Sequence, residues 1–373
     1  MTSPFQHHLV DLIREEGPLR FDRYMEVALY HPRWGYYADA ERSGWSGHFL
    51  TSPQLDPAFG ELWARAFTSA WEASGAGGPL VLVEVGPGEG GFIAAVLDAL
   101  DDAGIATESH LVERIPALRK RQQDVLGDRT DVQWWESVDD LPRFPSACAI
   151  ANEVLDNIPV RVVEMNGGRL EEVFVGLGRP GIQEVLGSPA DETPAEHLRS
   201  LKVALSDGHR FEIRTRAEAL VRSLARSVER GLLAFVDYGD TSQGLAARPQ
   251  GTLLCYSAGG TDDAVLDRPG EKDITVHADW DSVRAVLERE GFVAGGPLPQ
   301  RQIMRRLGAA ELDASLRRAH DEAVAAGRGA AALRNLSRRH ALAALLDPGG
   351  LGGLGVVVGT KGIPLPGFLD DAT

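Results

Sequence analysis

Cysteine is nearly absent from this sequence: the 373 residues include only Cys148 and Cys255, and both lie within apolar runs. Two cysteines so far apart supply neither a disulfide framework nor a cysteine-rich metal site, so the sequence favours a reducing compartment and predicts no metal. Basic residues are scarce too, with 38 Lys and Arg against 54 Asp and Glu. The net charge of −16 argues against nucleic acid as a partner and is compatible with a cationic ligand or a basic protein, although solubility alone also explains it.

Long apolar runs are missing as well. No run approaches the roughly 20 apolar residues that a membrane-spanning helix needs. The first residues, MTSPFQHHLVDLIREEG, lack the basic segment and apolar core of a signal peptide. These absences predict a cytoplasmic protein with no membrane partner. A chain of this length is sufficient for one large or two ordinary domains.

The chain changes character near residue 79. Residues 1–78 read as helices and an aromatic, glycine-rich loop, which is typical of a lid. Residues 79–300 alternate apolar strands with helices, which predicts a doubly wound, mostly parallel sheet with inserted helical and β elements. Within it, the sequence Asn-Gly-Gly at 166–168 predicts an antiparallel hairpin, and the stretch 208–231 is predicted to be helical. Residues 301–373 are predicted to form C-terminal helices and a closing strand.

The most informative stretch follows the first of these strands and reads VEVGPGEGG. Gly86, Gly88 and Gly90 allow a sharp turn and a close approach of the backbone to a ligand, as in dinucleotide-binding units. Glu84, at the strand end, would repel a pyrophosphate and attract an ammonium group. Glu113 ends the next strand, where an acid accepts hydrogen bonds from ribose hydroxyls. S-adenosylmethionine carries an ammonium and a sulfonium and no phosphate, so it is the predicted cofactor; a dinucleotide and a purely structural turn are the alternatives.

Further cofactor contacts are predicted from an aromatic pair and from the lid. Trp135 ends the third strand and is the candidate for stacking on the adenine, although a core position is an equal alternative for it and for Trp134. In the lid segment, backbone and hydroxyl groups are placed to reach the cofactor, unless they form an ordinary turn around Pro53. These lid candidates are Gly47, Thr51 and Ser52.

Several motifs in matching order resemble one known family. The segments GHFLTSPQLDPAFGELWA, EVGPGEG, WWESVDDLP, ANEVLDNIPVR, VDYGD, GTLLCYS and DITVHADW are similar to signatures of the methyltransferases related to the mitochondrial complex I assembly factor, often called MidA-like proteins. The resemblance covers most of the chain. It implies an α/β, class I (Rossmann-like) methyltransferase fold with a seven-stranded, mostly parallel sheet and an N-terminal helical lid. It also implies S-adenosylmethionine as the cofactor.

Some positions depart from the family pattern. The family's Asp in G-D-F is His48 here, the Glu after T-S-P is Gln54, and the Arg of the glycine loop is Glu89. A basic, histidine-containing stretch is replaced by SAGGTDD. These changes leave the predicted fold and cofactor intact and favour some divergence of the methyl acceptor, whose identity the sequence leaves open.

The stretch ANEVLDNIPVR raises its own question, because an apolar strand leads directly into an amide and two carboxylates. Characterised members of the family methylate arginine in a protein subunit, and carboxylates pair well with a guanidinium. The resemblance implies that Glu153 grips the acceptor nitrogen beside the sulfonium methyl, and Asn152 orients the acceptor or the cofactor. Asp156 is the second candidate carboxylate, with a cap or turn acid as the alternative.

Four more residues are candidates for the acceptor pocket. Asp237 and Tyr238 follow the next strand, and His48 lies in the lid. His277 is the fourth, although a structural role is an equal alternative. The chain is thus predicted to be a cytoplasmic methyltransferase that acts on a guanidinium of a protein or a smaller, cationic molecule, with a homodimer left open. The alternatives are O- or N-methylation of a secondary metabolite and a noncatalytic assembly chaperone.

Overall fold

The computed structural model describes residues 3–38, 52, 56–179 and 181–369. The chain forms two compact units, each assembled from three separate segments. The accessory unit comprises Met1–Phe49, Val154–Arg222 and Tyr238–Val286, and the core unit comprises Leu50–Glu153, Ser223–Asp237 and Leu287–Thr373.

This division differs from the one predicted at 1–78, 79–300 and 301–373. Composition and periodicity mark where a pattern changes along the chain, but they do not reveal that segments distant in sequence pack into one unit. Three candidate site residues, Gly47, His48 and Thr51, lie outside the described residues.

The helices carry labels in chain order over the described residues. They are α1 (Pro4–Glu16), α2 (Phe21–Tyr30), α3 (Ala58–Ser74), α4 (Gly91–Asp102), α5 (Pro116–Leu126), α6 (Thr193–Ser200), α7 (Thr215–Ser227), α8 (Ser242–Ala246), α9 (Trp280–Arg289), α10 (Gln300–Arg306), α11 (Ala309–Ala325) and α12 (Gly329–Leu345).

The strands are labelled in the same way. They are β1 (Leu19–Arg20), β2 (Leu80–Val85), β3 (Thr107–Val112), β4 (Val132–Trp135), β5 (Ala147–Asn152), β6 (Arg161–Asn166), β7 (Arg169–Leu177), β8 (Ile182–Gly187), β9 (Arg210–Ile213), β10 (Gly231–Asp237), β11 (Gly239–Asp240), β12 (Leu254–Ser257), β13 (Gly260–Asp262), β14 (Asp273–Thr275), β15 (Ala278–Asp279), β16 (Val293–Pro299) and β17 (Gly355–Lys361).

A seven-stranded sheet forms the centre of the core unit, in the order β16-β17-β10-β5-β2-β3-β4. The run from β10 to β4 is parallel, and β17 pairs antiparallel with both β10 and β16. The predicted seven-stranded, mostly parallel sheet is therefore confirmed. Strands β5 and β10 are buried along their whole length, which explains their continuous apolar sequences.

The order of the parallel strands reverses between β2 and β5. In open α/β sheets, ligands bind outside the carboxyl ends of the strands at such a reversal. Helix α4 follows β2 and packs on α3 so closely that a Cβ at Gly60 would lie 2.7 Å from the Cβ of Ala95. This packing holds the first βα unit rigid beside the reversal.

The accessory unit contains an antiparallel sheet in the order β1-β7-β6-β9, with β8 added to β7. The predicted hairpin is confirmed, since Asn166 pairs with Arg169 across Gly167 and Gly168, whose φ values are 56° and 76°. Helices α1 and α2 pack with this sheet, and Leu9, Tyr24, Val162 and Val175 belong to their common core.

One local prediction in the accessory unit is wrong. The stretch 208–231 begins with β9 rather than with a helix, and α7 starts only at Thr215. Strand β9 pairs with β6 from Ile213 opposite Arg161 to Arg210 opposite Glu164. A tertiary strand pairing thus overrides the helical tendency of these residues.

Two features are absent from the described residues. No helix in that part of the chain has the length and apolar character to span a bilayer. The same residues contain no group of three or more His, Cys, Asp or Glu side chains arranged to hold a metal ion.

Candidate active site

The glycine loop occupies the carboxyl end of β2. Gly86, Gly88 and Gly90 have φ values of 65°, 55° and 87°, in the left-handed region that favours glycine. Gly90 is the N-cap of α4, so the free N–H groups of that helix face the end of the sheet. A Cβ at Gly88 would meet no atom within 4 Å, which leaves open space beside the loop.

Two buried carboxyl groups lie next to this loop. Glu84 is 3% exposed, and burial, then the charge of Glu113, raises its pKa to about 8. Burial also raises the pKa of Glu113 to about 7, against hydrogen bonds from the Ile115 N–H and the Gln122 amide and the charges of Arg119 and Arg114. Both groups need a nearby positive charge or hydrogen-bond donors to remain ionised at neutral pH.

Buried acceptor atoms at this edge lack donors. Within the described residues, neither Glu84 Oε2 nor Asn152 Oδ1 receives a hydrogen bond. The two residues come from β2 and β5, the neighbouring strands at which the order reverses. An ammonium group supplies three donors and a positive charge, so the arrangement fits the amino-acid end of S-adenosylmethionine. A pyrophosphate would add negative charge beside two buried carboxyl groups and does not fit.

A hydrogen-bond network connects Glu113 to its surroundings. Glu113 Oε1 accepts from the backbone N–H of Ile115 at 2.8 Å, and Oε2 accepts from Gln122 Nε2 at 3.2 Å. Gln122 also donates to the Gly88 carbonyl at 2.8 Å and accepts from the Trp134 indole at 3.0 Å. The carboxylate at the end of β3 is therefore connected to the glycine loop and to β4.

Trp135, the predicted adenine contact, has a different partner. Its indole N–H donates to His110 Nδ1 at 3.1 Å. The His110 ring also lies 4.6 Å from the ring of Phe144, measured between centroids, and its Nε2 is 3.1 Å from Glu108 Oε1. Trp134 rather than Trp135 joins the Glu113 network, and stacking of Trp135 on adenine stays a prediction.

The end of β5 presents Asn152 and Glu153 together with Ser52. Glu153 Oε1 accepts from the Ser52 backbone N–H at 3.3 Å and from Asn152 Nδ2 at 3.1 Å. The backbone N–H of Glu153 donates to the Val236 carbonyl at 2.8 Å, next to Asp237, which ends β10 fully buried. Residues predicted from two separate motifs thus meet at the Glu153 carboxylate.

The backbone of Glu153 is unusual. Its φ is 51°, in the left-handed region that a non-glycine residue rarely adopts. Such a conformation costs on the order of 1–3 kcal/mol and clusters at active sites and ligand clamps. The left-handed backbone and the two N–H donors together set the direction of the Glu153 side chain.

The remaining candidates belong to the accessory unit. Asp156 lies in the turn Leu155–Asn157 and is 7% exposed, and burial raises its pKa above the usual range for an aspartate. Tyr238 and His277 have ring centroids 6.4 Å apart. Burial, followed by the charges of Arg248 and Arg214, lowers the pKa of His277 to about 4, so this imidazole is neutral at physiological pH.

Sequence reasoning missed the buried amides of this site. Gln300 donates from Nε2 to Ser52 Oγ at 3.0 Å, and Gln122 is fully buried on α5. Leu118, Gln122 and Leu126 form the buried face of that helix, at a spacing of four residues. A lone polar residue in an apolar stripe is the signal that could have identified Gln122.

Comparison with known proteins decides the family. Residues 62–298, more than half of the chain, match the family model described as "Putative S-adenosyl-L-methionine-dependent methyltransferase". The chain belongs to this family. The predicted enzyme class and cofactor are thereby confirmed: the protein is an S-adenosylmethionine-dependent methyltransferase.

Relatives and solved structures support the same assignment for this methyltransferase. The protein arginine methyltransferase NDUFAF7, mitochondrial, of Danio rerio is 29% identical over 81% of this chain and 76% of its own length. The protein of the same name from Homo sapiens is 28% identical, over 82% of this chain and 74% of its own. A Burkholderia thailandensis protein, solved by crystallography with S-adenosyl-homocysteine bound, is 28% identical to this chain in sequence. The two structures match with a TM-score of 0.84, and the match covers 96% of this chain and 92% of that one.

Proposed function

We propose that this methyltransferase transfers a methyl group to a guanidinium nitrogen of an arginine in a protein. The observation that carries the proposal is the Glu153 carboxylate, held at the end of β5 in a strained backbone conformation by two N–H donors. The names of the relatives, which call them protein arginine methyltransferases, support it. The net charge of −16 supports a basic protein as the substrate.

The cofactor is assigned to the carboxyl ends of β2, β3 and β5. The ammonium group is placed at Glu84 Oε2 and Asn152 Oδ1, the buried acceptors that lack donors among the described residues. The ribose hydroxyls are placed at Glu113, and the loop of Gly86, Gly88 and Gly90 approaches the amino-acid part. When bound, S-adenosylmethionine supplies a methyl group already activated on a sulfonium.

Glu153 is assigned to the acceptor because a protonated guanidinium is a poor nucleophile. A carboxylate fixes the plane of the guanidinium through paired, charge-assisted hydrogen bonds. It also draws positive charge away from the guanidinium nitrogen on the opposite side. The same carboxylate can take up the proton that the nitrogen loses on methylation. Asn152 and Ser52 keep Glu153 Oε1 in one place during the transfer, so the rate gain comes from positioning and charge.

Asp156, Asp237, Tyr238, His48 and His277 remain the proposed contacts of the acceptor. The neutral His277 beside Tyr238 would present an uncharged surface to a cationic group. Asp156 would add a second carboxyl group to the acceptor pocket. Because burial raises the pKa of Asp156, this group is more easily protonated than an ordinary aspartate in the absence of a cation.

The test is methyl transfer to defined acceptors. The purified protein is incubated with S-adenosylmethionine and a library of basic peptides that contain arginine, alongside matched peptides in which lysine replaces arginine. Mass spectrometry with fragmentation should locate added methyl groups on arginine and none on the lysine peptides. Transfer to lysine or to hydroxyl groups would contradict a guanidinium acceptor. Cofactor binding with no transfer to a full proteome digest or to intact basic proteins would instead support a noncatalytic role.

A further inference from the structure

The fold does not require a polar side chain at position 122, where the chain has Gln122. It lies on the buried face of α5 between Leu118 and Leu126 and has no exposed surface. A leucine would fill such a position without the cost of burying an amide. The amide is instead hydrogen-bonded to three separate parts of the core unit.

The three partners fix the orientation of the amide. The Trp134 indole N–H only donates, so it must face the Gln122 oxygen, at 3.0 Å. The Gly88 carbonyl and the Glu113 carboxylate only accept, so they must face the amide nitrogen, at 2.8 and 3.2 Å. A flipped amide would place two acceptors against each other at Gly88 and at Glu113 and two donors at Trp134.

These partners are also the elements assigned to the cofactor. Gly88 lies in the glycine loop after β2, Glu113 follows β3, and Trp134 is in β4. The loop and α5 are close to each other even apart from these bonds, because a Cβ at Gly90 would lie 3.3 Å from the Cα of Gln122. One side chain is therefore hydrogen-bonded to groups at the ends of three neighbouring strands.

We propose that Gln122 is a positioning residue for the cofactor: its amide holds the Glu113 carboxylate and the Gly88 carbonyl in the geometry that receives the ribose and the amino-acid chain. The inference rests on the proposed placement of the ribose at Glu113. Because the amide donates to Glu113 Oε2, it favours the ionised carboxylate, which is the form that accepts hydrogen bonds from two hydroxyl groups.

Several charged groups around Glu113 also affect how cofactor binding depends on pH. Glu84 faces it from β2, Arg114 follows it in the chain, and Arg119 approaches it from the first turn of α5. Protonation of Glu84 weakens binding of an ammonium group in every variant that retains it. A difference between two proteins that share Glu84, Arg114 and Arg119 therefore reports on the change at Gln122.

The experiment measures binding of S-adenosyl-homocysteine by calorimetry between about pH 5.5 and 8.5. Gln122→Met keeps the length of the side chain and removes all three hydrogen bonds. Affinity at the upper pH limit should fall about tenfold or more, the scale of a lost charge-assisted hydrogen bond. The midpoint of the acidic loss of affinity should move upward by about one pH unit, because Glu113 loses a donor to its ionised form.

The matched control is Gln123→Met, the same substitution at the next, exposed position of the helix. Its affinity and its acidic midpoint should equal those of the unmodified protein. Trp134→Phe retains an aromatic ring and removes the donor that orients the amide, so it should shift the midpoint in the same direction by a smaller amount.

Two outcomes overturn the inference or its basis, and they are distinguishable. If Glu113→Ala leaves affinity unchanged, the ribose placement fails and the inference with it. If Glu113→Ala weakens binding but folded Gln122→Met keeps the original midpoint, Gln122 is only a buried structural residue. Should Gln122→Met not fold, Trp134→Phe decides, and an unshifted midpoint for that variant refutes the role.

Discussion

The two carboxylate regions at the edge of the central sheet differ in how their side chains are stabilised. At β2 and β3, Glu84 and Glu113 are buried and their pKa values are raised to about 8 and about 7. At β5, Glu153 is fixed by N–H donors and by a left-handed backbone conformation. On the proposed placement of the cofactor, the first region would gain its stabilising charges and donors from a ligand, whereas the donors that orient the second come from the protein itself. A cofactor that stays through the reaction suits the first, and an acceptor that must be aligned with a methyl group suits the second.

The largest effect should come from removing the charge at β5. Glu153→Gln keeps the shape of the side chain, so affinity for S-adenosyl-homocysteine should stay within a few-fold. Single-turnover methyl transfer should slow by about two to four orders of magnitude, the range for losing a positioned acid–base or charge partner. Glu229→Gln, at an exposed position two residues before β10, is the matched control and should keep the full rate. Full turnover by Glu153→Gln would remove the acceptor role from this region and direct attention to Asp237.

The next effect tests the glycine loop at β2. Gly88→Val should abolish detectable binding in calorimetry, because a β-branched side chain resists a φ of 55° and would occupy the open space beside the loop. Gly127→Val provides the comparison, since Gly127 has a φ of 62° and equal room for a Cβ but lies past the far end of α5. Loss of binding in both variants would point to general backbone strain rather than to a ligand contact.

A smaller effect is expected at β3. Glu113→Ala should weaken binding of S-adenosyl-homocysteine by roughly 1–3 kcal/mol, the scale of hydrogen bonds to a charged group. Glu108→Ala, on the same strand but with a half-exposed side chain, should change the affinity much less. If the two variants bind alike, Glu113 belongs with the structural residues and the contrast between β3 and β5 disappears.

The smallest expected effect is a change in stability with pH. A carboxyl group whose folded pKa lies above its ordinary value of 4.5 stabilises the fold at low pH, and this contribution is lost as the pH rises through the folded pKa. The contribution of these two groups to the thermal stability of the ligand-free protein should therefore fall between about pH 5 and 8. Because a bound ammonium and hydroxyl donors favour the ionised forms, the rise in Tm on adding S-adenosyl-homocysteine should grow over this range. A rise in Tm that is constant with pH would show that Glu84 and Glu113 do not contact the ligand.

The sequence was sufficient for the parallel sheet because β2, β5 and β10 are nearly continuous apolar runs and the loop after β2 is rich in glycine. Ser52 and Asn152, which both donate to Glu153, could be selected together with it from motifs and the family resemblance. The hydrogen-bond chain through Gln122 could not, because the partners of a buried amide depend on helix packing rather than on local pattern. The division of the chain into units also depends on packing between segments distant in sequence, so it was not predicted. Strand β9 was missed for the same reason, because residues 210–213 form a strand by pairing with β6.

The path of the chain between its two units has an evolutionary consequence. It leaves the core unit after Glu153 and again after Asp237, at the carboxyl ends of β5 and β10. Residues 154–222 and 238–286 are therefore insertions in the core unit, and each begins directly after a residue proposed to contact the acceptor. On this proposal, changes confined to the two insertions would alter the acceptor pocket and leave the strands proposed to hold the cofactor unchanged. Exchanging the two insertions between family members is therefore a direct way to redesign the acceptor specificity.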